Sequence, residues 1–240
     1  MSKKAWIIFV IAIFGLLAAL VIWSRSSSTK IDTSSIDTNL IQPASKQSGN
    51  IADHVFGKAD SKVVLIEYGD FQCPGCGSAE PGVEKVTNDY KDYVAFVFRN
   101  FPLTSVHQNA LAAASAVEAA GLQGKYWEMH NLVYTNQNDW NTLSTDQRTA
   151  KFTDYASQLS LDTTKFKTDM ASSAVSQKIS FDQAIGYKVG VDSTPTFTLN
   201  GVKVSSAVIE DLQTGNGNQL RDALDAQLKQ AGVTPPTRAS

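Results

Sequence analysis

The sequence predicts an α/β domain interrupted by an inserted helical domain and preceded by a single membrane-spanning helix. Three observations carry this. Residues 62–71 (KVVLIEYGDF) and 94–103 (VAFVFRNFPL) are β-branched and aromatic runs with helical spacing between them, the pattern of strands buried on both faces in a β-α-β unit. Residues 106–188 then read as helix throughout, before a strand pattern returns at 194–206, TPTFTLNGVKVSS. Residues 5–23 form a run of 19 residues without a charge.

Taken in order, the amino end comes first. Lys3 and Lys4 precede the uncharged run, which would reach about 28 Å as a helix, close to the ~30 Å of a bilayer's hydrocarbon. Trp6 and Trp23 stand at its two ends, where indole rings favour the membrane interface. A cleavable signal has a shorter apolar stretch, so residues 5–23 are expected to be a retained anchor, with a cleaved signal as the alternative. Either reading sends the chain into export. Residues 1–4 are expected on the cytoplasmic side and the bulk of the chain outside. Residues 24–50 are rich in Ser, Thr and Asn, with no periodic apolar face. Such a stretch cannot offset its ordering entropy, so a flexible linker is expected.

The folded part is expected over residues 51–105 and 189–232, with the helical insertion at 106–188 and a tail at 233–240. The first strand is followed by a helix in which Val83, Val86 and Tyr90 share a face, with Pro81 and Gly82 expected to kink it. The alanine-rich run that begins the insertion should end at Gly121. Ser144 and Asp162 are expected N-caps for later helices. Asn200-Gly201 between two β-rich runs predicts a hairpin turn, and a last helix is expected over 218–231. Hydrophobic residues make up 42% of the chain, enough for a core, and the net charge of −2 argues against nucleic acid, which asks for a basic patch.

Cys73 and Cys76 are the only cysteines. A structural disulfide would close a very short loop and gain little. A structural zinc site wants four ligands, yet His54, His107 and His130 are scattered singly. Two inert buried thiols are a third reading. The fourth, a redox dithiol, has a direct physical case. Cys73 follows a buried strand and opens a helix, where unpaired N–H groups and the helix dipole favour a thiolate. Pro74 suits the first helical position, and Gly75 leaves the approach open. Cys76, one turn on, would resolve the mixed disulfide. Glu67 lies inside the apolar strand. Burial there would raise its pKa, fitting it to pass protons to and from Cys76; the alternative is a carboxylate pointing out at the strand end.

At this point the sequence resembles the DsbA-like thiol oxidoreductases of the thioredoxin superfamily, membrane-anchored BdbD-type forms among them. The resemblance rests on VVLIEYGDFQCPGC (63–76), FRNFPLTSVHQNALAAASAVEAAGLQGKYWEMHNLVY (98–134) and VGVDSTPTFTLNGVKV (189–204), in that order and spacing. It implies a thioredoxin fold and a cis bond at Thr194-Pro195, beside the dithiol, where the Thr194 backbone would pair with an extended substrate. It also matches Glu67 to the family's buried acid. The implied function is an extracytoplasmic, single-pass, monomeric thiol–disulfide oxidase that hands a Cys73–Cys76 disulfide to reduced exported proteins. A quinone-linked membrane partner would reoxidise it, with no further cofactor and no metal. One departure matters: the strongest oxidants of the family have histidine between the cysteines, where this chain has Pro74 and Gly75. A reductase on the same fold is therefore the alternative, and a metal-binding or scaffold module a more distant one. His107 is expected to pack at a helix start, and Trp127, His130 and Trp140 to fill the core of the helical block.

Overall fold

In the computed structural model, residues 6, 9, 10, 12–15 and 31–238 are described, and the chain divides into a unit of residues 1–32 and a unit of residues 33–240. In the first unit the described positions among 6–15 are helical, with Trp6, Phe9, Ile13 and Phe14 exposed. The expected anchor at 5–23 lies largely outside the described residues, as do residues 1–4 and 24–30. Among the described residues no helix is long and apolar enough to cross a membrane.

The second unit is organised around one strand. β2 (Val64–Gly69) is buried at every position, because both faces are covered and its Val, Leu and Ile side chains suit a pleated interior. It pairs in parallel with β3 (Ala95–Asn100) and antiparallel with β4 (Thr196–Leu199). Two short edge strands complete the sheet: β1 (Val55–Gly57) beside β3 and β5 (Val202–Lys203) beside β4, in the order β1-β3-β2-β4-β5. β1, three residues long, carries no alternation legible in the sequence. The hairpin turn falls at Asn200 and Gly201, with φ of 47° and 81°, a left-handed pair that Asn-Gly accepts.

α1 (Pro74–Tyr90) connects β2 to β3 and buries Cys76, Ala79, Val83, Val86 and Tyr90 on one face. It continues as a helix through Pro81. Gly82 sits where α8 (Ser206–Gln213) crosses: a Cβ there would lie 2.4 Å from the Leu212 carbonyl oxygen. The strand pattern expected over 194–206 ends at Lys203, and Ser206 already belongs to α8. α9 (Asn218–Gln230) closes this layer, and Leu65, Phe96, Phe197, Leu212 and Leu224 share its core.

Between β3 and β4 the chain inserts six helices: α2 (Ala110–Gly121), α3 (Tyr126–Thr135), α4 (Gln137–Trp140), α5 (Thr145–Gln158), α6 (Thr163–Met170) and α7 (Ser173–Lys188). Ser144 and Gln147 form a reciprocal cap on α5, and the Asp162 carboxylate accepts from the Thr164 and Lys165 amides at the start of α6. Gly121 is the last helical residue of α2, but the left-handed position is Gly124, φ 76°. The helical core of Val117, Met129, Trp140, Phe152 and Phe166 is continuous with Phe71, Cys73, Cys76 and Phe98. The two thiols thus lie on the seam between helical block and sheet.

Residues 33–50 correct the expected linker. They form a strap packed on the fold. The guanidinium of Arg99, with no side-chain exposure, donates to the Thr38 and Leu40 carbonyls at 2.7 Å each and to Asp53 at 2.9 Å. Lys188 donates to the carbonyls of Thr33 and Ile36. Gln42 and Gln47 are buried and bond Asp53. A serine-rich composition hides this, because the strap is held by its backbone carbonyls, which every residue type carries.

Candidate active site

Cys73 is the residue immediately preceding α1, with extended backbone angles, and its carbonyl accepts the first helical bond, from the Gly77 amide at 3.0 Å. Its sulfur therefore stands at the helix amino end, where free N–H groups and the dipole favour negative charge. Both cysteines are free thiols. The ionised Cys73 sulfur accepts a hydrogen bond from Cys76 and others from Thr194 and the Cys76 and Gly75 amides; against the opposing effect of burial, these bring its pKa down to about 5. Cys76 goes the other way. Burial, its bond to Cys73 and the charge of Glu67 push its thiol well above the ordinary range. The pair is thus divided into one thiolate and one thiol.

Thr194-Pro195 is a cis peptide bond. When protonated, Cys73 Sγ donates to the Thr194 carbonyl at 3.3 Å. The Thr194 hydroxyl is buried with no other partner, so it is free to turn towards the ionised sulfur. A Cβ on Gly75 would lie 3.6 Å from both Cys73 Sγ and Pro195 Cδ. Gly75 therefore lies close to both the Cys73 sulfur and the proline loop.

Glu67 sits mid-strand, paired with Phe98 on one side and Phe197 on the other. It is 1% exposed, and its Oε2 has no hydrogen-bond partner. Burial first, and the Cys73 charge second, raise its pKa to about 8. The strand-end reading of this carboxylate is thereby replaced: it is a neutral acid under the dithiol at pH 7.

Other groups hold the turn. Asp70 accepts from the Gln72 and Leu103 amides and meets His107 Nδ1 at 2.7 Å. His107 thus ties the loop after β3 to the active-site turn. Gln137 of α4 donates to the Phe71 and Cys73 carbonyls at 2.7 and 3.0 Å, linking the helical block to the backbone of Cys73. No sequence signal marks Gln137. Glu80, four residues after Cys76, likewise stands out only once the buried face of α1 is known. Trp140 is fully buried and donates to the Val133 carbonyl, and Trp127 packs both on Tyr126 and His130 of the helical block and on Phe56 and Phe96 of the sheet. Among the described residues no group of three or more His, Cys, Asp or Glu side chains could hold a metal ion.

Residues 49–215 match the sequence model of the family described as thioredoxin. The chain belongs to the thioredoxin family. Its structural neighbours are of the thioredoxin and DsbA class. A thioredoxin-like oxidoreductase from Silicibacter pomeroyi is 25% identical with a TM-score of 0.58, over 74% of this chain and 92% of that one. The thiol-disulfide exchange protein alpha-DsbA2 from Wolbachia pipientis is 20% identical with a TM-score of 0.58, over 73% and 87%. Oxidised BdbD from Bacillus subtilis is 20% identical with a TM-score of 0.62, over 79% and 98%. Among curated proteins, the Na(+)/H(+) antiporter NhaA 1 of Salinispora arenicola is 40% identical over 149 residues, 62% of this chain. This thioredoxin-family chain spans 22% of that protein's length, so the shared segment is one part of a longer relative.

Proposed function

We propose that this chain is a membrane-tethered, extracytoplasmic thiol–disulfide oxidase that passes a Cys73–Cys76 disulfide to reduced exported proteins. The observation that carries the reading is the divided thiol pair: a thiolate-favouring Cys73 beside the Thr194 backbone, over a neutral buried Glu67.

The geometry supports a two-step exchange. A substrate thiolate attacks Cys73 Sγ of the oxidised protein, the Cys73–Cys76 bond breaks, and its electron pair goes to Cys76 Sγ. Glu67 supplies the proton that Cys76 takes up. The substrate's second thiol, losing its proton to solvent, attacks the mixed disulfide, and Cys73 leaves as a thiolate already stabilised at the helix end. The substrate has lost two electrons and the protein holds them as one thiol and one thiolate. A membrane partner carrying a disulfide, linked to quinone, then accepts those electrons and restores the bond. An extended substrate reaches Cys73 alongside the Thr194 backbone. The uncharged run at residues 5–23 supports the tether and the outward location.

Two measurements test the reading. Cys76→Ala, expressed in full length, is expected to accumulate mixed disulfides between Cys73 and exported proteins; their absence counts against exchange. Redox titration with a refolding assay on a reduced substrate tests direction. A potential near thioredoxin's, about −270 mV, with no oxidation of substrate, favours the reductase reading, for which the missing imidazole between Cys73 and Cys76 is the supporting feature.

A further inference from the structure

Two helices of the inserted block each carry one paired and one unpaired cation. Lys151 of α5 pairs with Asp139, and Lys165 of α6 pairs with Asp169. Arg148 of α5 meets no carboxylate among the described residues. Its Nη1 donates to the Asn109 side chain and the Gln108 carbonyl, and its Nε is buried with no partner. Lys167 of α6 is exposed. Both unpaired cations border a groove of about 420 Å³ where α2, α5 and α6 meet, within the range of about 300–1,000 Å³ that ligand sites span. Leu111 and Ala112 of α2 and Met170 and Ala171 at the end of α6 supply its apolar lining. Leu111 is 45% exposed, on a helix whose other face buries a row of alanines.

No Asp or Glu borders this groove. Carboxylates do border other recesses of the unit: Glu80 and Glu84 share one cavity with His130, Asp89 lies in the cleft against α9, and Asp60 and Asp92 in the one near the start of β2. The groove is also held to the active-site turn. Arg148 fixes the Asn109 side chain, the Asn109 amide donates to Gln72 Oε1 at 2.6 Å, and Gln72 is the residue before Cys73. Gln108, at the rim, follows His107, whose Nδ1 meets Asp70 at 2.7 Å. An acid-free apolar recess with two unpaired cations is thus tied to the segment that leads into the dithiol.

We propose that this groove is a second contact point for the polypeptide that exchanges its disulfide at Cys73, and that it takes an apolar segment bearing a carboxylate. The proposal rests on the thiol-exchange reading above. Aliphatic side chains of the partner cover Leu111 and Met170, which removes apolar surface from water. A Glu or Asp of the partner approaches Arg148 side-on and meets Nε and Nη2 together, which satisfies a donor that the fold leaves bare. Lys167 reaches over the same carboxylate with its long stem. Both effects favour one occupant, a peptide segment that is apolar and acidic. The groove touches no reacting sulfur. It holds the partner at a second place, so that the partner's thiols stay at a raised effective concentration beside Cys73.

The test uses the full-length oxidised protein and three reduced peptides. Each has a Cys-Gly-Gly-Cys pair, a Gly-Ser linker of about eight residues that reaches up to about 28 Å, and a segment Leu-Leu-Xaa-Leu with Glu, Gln or Lys at Xaa, made in both chain orders. Single-turnover oxidation, quenched with acid and read by thiol labelling, gives a half-saturating concentration and a limiting rate. The Glu peptide is expected to half-saturate about fivefold below the Lys peptide, the size an exposed ion pair allows, with the Gln peptide between them and the limiting rates equal. In Lys167→Glu the order of the Glu and Lys peptides should reverse, whereas a side chain that only supported the fold would weaken all three alike. Leu111→Ser is expected to raise all three half-saturating concentrations about threefold. Equal half-saturation by the three peptides, or a Glu preference that survives Lys167→Glu, overturns the groove contact. Decanoate that displaces the Glu peptide below that peptide's own half-saturating concentration overturns the peptide assignment in favour of a free fatty carboxylate. Oxidation without preference leaves the exchange mechanism standing; a wild type that oxidises none of the peptides overturns both.

Discussion

Cys73 carries a charge that only the reduced protein can hold, and this sets how its chemistry responds to pH. Its pKa is brought down from 9.0 to about 5, first by the hydrogen bond from Cys76. Below about pH 5, reduction of the disulfide takes up two protons with two electrons; above it, one, because Cys76 stays protonated. The reduction potential should therefore fall by about 59 mV per pH unit below that point and by about 30 mV per unit above it. A redox titration across pH 4–8 checks this, and a single steep slope through neutrality would mean that Cys73 is not ionised. The sign for folding follows. A depressed acid stabilises the fold above its folded pKa, fully so only above 9.0, and that stability is lost as pH falls through about 5. Glu67 works the other way: raised from 4.5 to about 8, it weakens the fold as pH climbs between those values.

At the scale of elements, the site depends on how closely α1 is approached. α8 crosses α1 at Gly82, and a Cβ there would meet the Leu212 backbone oxygen at 2.4 Å. Alanine is the better helix former by about 1 kcal/mol, so a free helix would gain from Gly82→Ala. Here the overpacking cost of about 1–3 kcal/mol wins, since backbone cannot swing aside as a side chain does. Gly82→Ala is expected to lower the denaturant midpoint; an unchanged or higher midpoint would show that the two helices can separate without loss. α4 approaches the same turn from the other side, with Gln137 bonded to the carbonyls of Phe71 and Cys73. Helical block and sheet thus meet at Cys73.

For the molecule as a whole, the strap at residues 33–50 joins sheet and helical block. Asp53 bonds Arg99 of β3 and Lys178 of α7, Lys178 bonds Asp182, and all four side chains are buried. The charges of Lys178 and Arg99 outweigh burial and hold Asp53 ionised. Besides Asp53 and the Tyr68 hydroxyl, Arg99 donates to the Thr38 and Leu40 carbonyls of the strap. A chain begun at residue 51 would take both carbonyl acceptors from that guanidinium, a loss of about 1–3 kcal/mol for each donor left unmet. Denaturant unfolding of the shortened and full-length chains measures it; equal midpoints would show that the strap is dispensable.

Much of this was legible in the residue order. A β-branched run, a C-x-x-C pair opening a helix, the helical stretch over residues 106–188 and Asn-Gly before the last strand place β2, Cys73, the insertion and the hairpin, because each depends on local periodicity or on turn chemistry that a few neighbouring residues decide. Glu67 stood out for a similar reason, as a charge inside an apolar run. Other features had no local signature. Residues 33–50 look like linker because their role is played by backbone carbonyls, which composition does not reveal. Glu80 and His130 are 50 positions apart in the chain, and only the packing of α3 on α1 brings their side chains to one cavity. Gln137 is an ordinary surface residue by type, and the docking of α4 alone makes it a partner of Cys73. The sequence by itself determined the reagent and the turn that tunes it. The tertiary structure decided what surrounds them, because burial, desolvation and hydrogen bonds between distant segments exist only once the chain is packed.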